Sequence, residues 1–221
     1  MTLEEFQRLG KEDEEWAPGW EAIEDAFGKV YADPGCTSDH YATKLLARVG
    51  FGGEDYLDGY TIYTSKKGYK HIVTFGMTEL YFDEEAFGGE WSKWGYEMTI
   101  KLAETENEKC MWAIGLLGNL ARYTYQQEKF FQPFQYVSFG GASICAERES
   151  AVTGLLIVND TEVEGVDTVY GRTDFMQLVG ITQKELEAII ENPELGQVLV
   201  ERMKKDNPDL VTDLNRTKSY L

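Results

Sequence analysis

Positive charge is what this chain is shortest of: its 221 residues hold 21 Lys+Arg against 39 Asp+Glu, a net charge of -18. A surface of that sign repels phosphate backbones and anionic lipid. Nucleic-acid and membrane partners are therefore not expected, and a basic protein partner is favoured. Cysteine is also scarce. Cys36, Cys110 and Cys145 are odd in number and contain no C-x-x-C pair, so they read as reduced thiols rather than a disulfide framework. A closed zinc site needs four nitrogen or sulfur ligands, and His40 and His71 are the only histidines. Cys36-x3-His40 has the spacing of two ligands on one helix face, but Pro34-Gly35 argues against a helix there. No EF-hand loop, G-x-x-x-x-G-K-[ST] or G-x-G-x-x-G is present, so no metal or cofactor is expected. No purely apolar run approaches the length of a membrane span, Leu155–Val158 being strand-sized, and Met1-Thr2-Leu3-Glu4-Glu5 lacks the start of a secretion signal. A cytoplasmic protein is expected.

What is present suits a core. Hydrophobic residues make up 43% and aromatics 13%, the latter favouring a sheet. Residues 1–15 read as an acidic, solvated lead-in and 16–221 as one domain. Pro18 opens a helix carrying Trp20, Ile23, Phe27, Val30 and Tyr31, which Asp33-Pro34-Gly35 ends. The stretch 44–104 reads as strands. Within it Tyr60–Thr64 and His71–Phe75 flank a Lys-Lys-Gly turn as a hairpin. Tyr96, Met98, Ile100 and Leu102 alternate with Glu97, Thr99 and Lys101, which predicts one buried and one wet face. From Met111 to Gln127 the period is helical, with Leu116, Leu117, Leu120, Tyr123 and Thr124 on one stripe. Strands follow at Tyr136–Phe139 and Val152–Val158. A capping box, Thr182-Gln183-Lys184-Glu185, starts another helix, and a last one runs from Glu194 to about Asp206. Phe-Gly-Gly occurs at 51–53, 87–89 and 139–141, spaced too unevenly for a repeat and better read as turns. The sum is an α+β fold.

Catalytic signals are few. No serine sits in G-x-S-x-G. The enzymatic alternative is a hydrolase-like chemistry using Cys145 with His71 or His40, or a pair of carboxylates. Arg122 and Arg172 lie in apolar segments, and Glu97 or Glu79 is the expected partner of a buried arginine.

Several blocks stand in the order of a known family: Gly52–Asp58, His71–Tyr81, Trp94–Leu102, Leu120–Tyr123, Phe175–Gly180 with Glu185-Leu186, and Thr212-Asp213. Over about residues 16–216 the chain resembles the suppressor of fused domain, in its bacterial single-domain form. The resemblance implies an α+β domain with a mixed, largely antiparallel sheet flanked by helices and no catalytic residues. The animal member clamps an extended peptide of a zinc-finger transcription factor between this domain and a second one. A tyrosine and an acidic residue of this domain help to hold that peptide. Here the tyrosine is Tyr123, Gln135 stands at the acidic position, and a second domain is not expected within 221 residues. Bacterial relatives are often immunity proteins that neutralise a toxin by binding it, which agrees with a basic partner.

The residues themselves point to the same region. Phe130-Phe131-Gln132-Pro133-Phe134 sets three exposed-looking aromatics beside a proline, as at an interface or at a core corner. An extended peptide would add to a strand over Gln135–Phe139 beside Tyr123, with Pro133 marking where pairing stops. The candidate protein-binding set is Tyr123, Pro133, Phe134, Gln135, Tyr136, Val137 and Phe139.

Overall fold

The computed structural model describes residues 1–42 and 56–221. The first Phe-Gly-Gly, most of the Gly52–Asp58 block and the start of the strand-rich stretch, 44–55, lie outside the described residues.

The expected hairpin forms. Strands β2 (Gly59–Thr64) and β3 (Lys70–Phe75) pair antiparallel with Ile62 opposite Ile72, and Gly68 takes φ +88 in the turn between them. Strand β1 (Thr37–Ala42) adds antiparallel to β2, and β4 (Trp91–Leu102) to β3. Strands β5 (Tyr136–Ser138), β6 (Val152–Asn159), β7 (Val166–Thr168) and β8 (Gly171–Thr182) complete the sheet. Its order is β1-β2-β3-β4-β8-β6-β5, with β7 paired to β8. Among the described strands only β4 and β8 pair in parallel, so this is a mixed, largely antiparallel sheet.

Helices cover both faces. The helix α1 spans Leu3–Glu12, α2 Pro18–Val30, α3 Met111–Gln127, α4 Gln183–Glu191 and α5 Leu195–Met203. On one face Leu116, Leu117 and Leu120 of α3 pack with Tyr96, Met98, Ile100 and Leu102. On the other, Ile23 and Phe27 of α2 meet Tyr63, Val73, Phe75 and Phe175, while Leu186, Ile189 and Leu199 of α4 and α5 cover Leu156, Val158, Val179 and Ile181. The capping box at Thr182 is present, and its Glu185 is fully buried because Arg216 reaches back to both carboxylate oxygens. Residues 1–15 are more than a tail: Phe6 of α1 is buried among Trp16, Phe82, Phe87 and Tyr170.

The expected wet face of β4 is not wet. Glu97, Thr99 and Lys101 are all fully buried, because helices close the second side of the sheet and a polar layer lies beneath them. Asp160 is the hub of that layer. It accepts from Thr99 Oγ1 at 2.6 Å, Lys101 Nζ at 3.1 Å and the amides of Glu162 and Val163, and lies 2.9 Å from His71 Nε2. Tyr31 joins α2 to the layer, its hydroxyl 2.7 Å from His71 Nδ1. Burial pushes the Asp160 carboxyl up, but His71, Lys101 and Thr99 outweigh it and hold it well below the usual carboxylate range.

Among the described residues no arginine pairs with Glu97, contrary to expectation. Glu97 instead accepts from Thr74 Oγ1, Thr78 Oγ1 and the amides of Gly76 and Thr78, tying β4 to the turn after β3. Burial pushes its pKa up to about 7 against the pull of those donors. Arg122 bonds Asn119 at the surface, and Arg172 bonds Asp174.

Candidate functional site

Strand β5 has three residues and stands at the end of the sheet. It pairs with β6 through Tyr136–Leu156, Val137–Leu155 and Ser138–Gly154, and among the described residues nothing pairs its other side. The flanking bonds set the phase. Ile157 N donates to Gln135 O at 2.9 Å and Phe139 N to Thr153 O at 3.1 Å, so odd-numbered residues face β6. The alternation of an antiparallel ladder then turns the amides and carbonyls of Tyr136 and Ser138 outward. That is the arrangement a further strand needs.

The approach to β5 is shaped by the chain leaving α3. Glu128 ends that helix at φ +51. Phe134 also takes a left-handed φ, +68, a costly choice for a residue with a Cβ. Its amide is secured to Ile157 O at 2.7 Å, and Gln132 N donates to Gln135 Oε1 at 3.0 Å. Phe130 and Phe134 are thereby left 53% and 42% exposed. The third aromatic, Phe131, contradicts the expectation of exposure: it turns into the core against Tyr96, its amide 3.4 Å from the Tyr96 hydroxyl.

Tyr123, Phe134, Gln135 and Tyr136 of the candidate set line one groove of about 590 Å³. Pro133, Val137 and Phe139 do not line it; Val137 and Phe139 pack toward the core cluster under α3. Tyr123 is 44% exposed, at the rim of the helix stripe rather than in its middle. Sequence reasoning left out Glu128, Lys129 and Pro193. The two charged residues follow Tyr123 closely enough to have been suspected. Pro193 reaches the groove from the α4–α5 turn, which only the fold brings near.

Among the described residues Cys145 is brought together with neither His71 nor His40. Cys145 is buried in the cluster under α3, whereas His71 lies on the opposite face against Phe27. His40 is on β1, at the other end of the sheet from β5, bonded to Thr61. Cys36 and His40 share a cleft of about 240 Å³ with Glu24, but Cys36 precedes a strand, not a helix. Among the described residues no three His, Cys, Asp or Glu side chains are grouped to hold a metal. No helix among the described residues is long and apolar enough to cross a membrane.

The architecture is thus a single α+β domain with an open mixed sheet and an exposed aromatic groove at one edge. The chain belongs to the suppressor of fused family, whose model matches residues 53–217. The human suppressor of fused homolog is 28% identical over 188 positions, covering 77% of this chain, and the mouse homolog gives the same figures. The chain spans only 38% of the length of those relatives. Among solved structures, the Sufu-Fu complex matches with TM-score 0.73 and 26% identity over 92% of both chains. Drosophila Suppressor of Fused matches with the same score and identity, over 92% of this chain and 51% of its own. A putative homolog from Neisseria gonorrhoeae shares the fold at TM-score 0.56 and 17% identity, over 92% of this chain and 97% of that one.

Proposed function

We propose that this chain is a non-enzymatic, cytoplasmic, bacterial immunity protein whose work is to bind and neutralise a basic toxin. The domain proper is residues 16–221, with 1–15 docked on it. The observation that carries the binding mode is the open edge of β5 beside exposed Tyr123, Phe134 and Tyr136. A segment of the partner adds to Tyr136–Ser138 as a strand, and the aromatic groove takes its side chains. Gln135 offers an amide where the family resemblance places a carboxylate, so a basic or hydroxyl group there is recognised more weakly and with less salt dependence. The net charge of -18 supports a basic partner by steering its approach.

Coexpression with each basic protein found to be encoded by a neighbouring gene tests this. Neutralisation by the wild type, lost in Tyr123→Ala and in Ser138→Pro while both still fold, is expected. If no such neighbour is bound or neutralised, the immunity role fails. If neutralisation survives both substitutions, the role stands but the groove does not carry it.

A further inference from the structure

Trp91 is presented to solvent by an unusual stretch of β4. Between the pairs Trp91–Arg172 and Tyr96–Asp174, β4 advances five residues while β8 advances two. The surplus is absorbed in a bulge with Lys93 at φ +52 and Gly95 at φ +81. Bulges of this kind re-aim side chains. Here the indole lies across Gly95, where a Cβ would come within 2.9 Å of Trp91 Cε3. The ring is 51% exposed, and the other four tryptophans are all more buried.

The base beneath it is fastened. Trp94 N donates to Met77 O at 3.1 Å, Lys93 Nζ to Gly76 O at 3.3 Å, and Glu79 N to the buried Ser92 Oγ at 2.9 Å. A large aromatic held on a rigid base gives up little freedom when a partner covers it.

The surroundings select the charge of that partner. Trp91, Arg172 and Asp167 stand side by side across β4, β8 and β7. Arg172 is already answered by Asp174 at 2.8 Å, with Asp167 at 3.8 Å. Exposed Glu90 precedes Trp91 and accepts the Arg172 amide on its carbonyl. Three carboxylates, Glu90, Asp167 and Asp174, against the Arg172 guanidinium and the Lys93 ammonium leave the rim net negative. An electron-rich indole face with such a rim attracts cations, and a planar guanidinium stacks on it better than an ammonium does.

We propose that Trp91 is the anchor of a second interaction surface, one that receives an arginine side chain of a protein partner. It shares with the β5 reading only the cationic character of the partner, and uses none of the groove residues.

The test is anisotropy of dye-labelled hexa-arginine at moderate salt, with hexa-lysine for comparison. Wild type binds hexa-arginine more tightly than hexa-lysine. Trp91→Ala weakens hexa-arginine binding about five- to tenfold, and Trp91→Phe weakens it less. Equal affinity of wild type and Trp91→Ala means diffuse attraction to an acidic surface, and overturns the proposal. So does the absence of wild-type binding. Weakening by Tyr123→Ala but not Trp91→Ala places the cation in the groove, overturning this surface while leaving the β5 reading intact. Melting curves confirm that each variant is folded, and Trp91→Leu replaces Trp91→Ala if the latter is not.

Discussion

Tyr123 stacks on Phe131, with 6.1 Å between ring centroids and 19° between ring planes, and the two rings divide their work. Phe131 is 9% exposed and Tyr123 44%. Truncating the outer ring should therefore leave the fold nearly intact: Tyr123→Ala is expected to cost about 1 kcal/mol, against about 3–5 kcal/mol for Phe131→Ala. Urea unfolding of both variants checks this. A Tyr123→Ala loss as large as that of Phe131→Ala would make Tyr123 a core residue and not a docking one.

Leu120 joins α3 to the sheet face of Tyr96 and Met98. Leu120→Ala is expected to cost about 2–5 kcal/mol. A measured loss below about 1 kcal/mol would show α3 to be peripheral.

Lys101 is wholly buried and ends on Asp160 and Thr161 Oγ1. Lys101→Met fills the space but leaves Asp160 short of a cation, and should cost about 3 kcal/mol or more in chemical denaturation. An unchanged midpoint would mean that Asp160 is satisfied by its other donors alone.

Stability should also fall in acid, from this same layer. Burial raises the Glu162 carboxyl, but bonds from Lys67 and Tyr69 and the charge of Lys101 outweigh it, bringing it from 4.5 down to about 2. Asp160 moves the same way. A folded pKa below the unfolded one means that the unfolded chain binds more protons in acid. The stabilisation is thus full above about pH 4.5 and is lost as the pH falls toward 2. Unfolding midpoints measured between pH 6 and 2 should drop across that window. Glu162→Gln should drop less, and an equal drop in wild type and variant would contradict the assignment of the effect to Glu162.

The sequence made the regular elements legible where local chemistry and long-range packing agree. The β2–β3 hairpin has a turn and two β-rich arms, and Thr182 has its Glu185 three residues on. Polar residues at alternate positions of β4 misled, because alternation reports chemical type and not exposure. A histidine, a lysine and an aspartate from β3, β4 and the loop after β6 meet under α2 only once the sheet order exists. The groove was half legible. Tyr123 and the Phe130–Phe134 corner are local in sequence, but the inward turn of Phe131 depends on Tyr96, and Pro193 arrives from beyond β8.

A regular pleat would put Trp91, five residues before Tyr96, on the opposite face with Glu97 and Lys101, so alternation alone does not place it. The bulge does, through φ values at Lys93 and Gly95 that only tertiary contacts fix. Gly95→Ala should accordingly strain the backbone and push the indole aside, seen as a lowered melting temperature and a changed Trp91 environment in fluorescence quenching.

Amide hydrogen exchange at β5, with and without the captured protein partner, tests the central claim most directly. In the free protein the Val137 amide, paired toward Leu155, should be protected while those of Tyr136 and Ser138 exchange freely. Binding should slow Tyr136 and Ser138 strongly and leave Val137 little changed. Protection of Tyr136 and Ser138 before the partner is added, or exchange that its binding does not alter, would contradict the account.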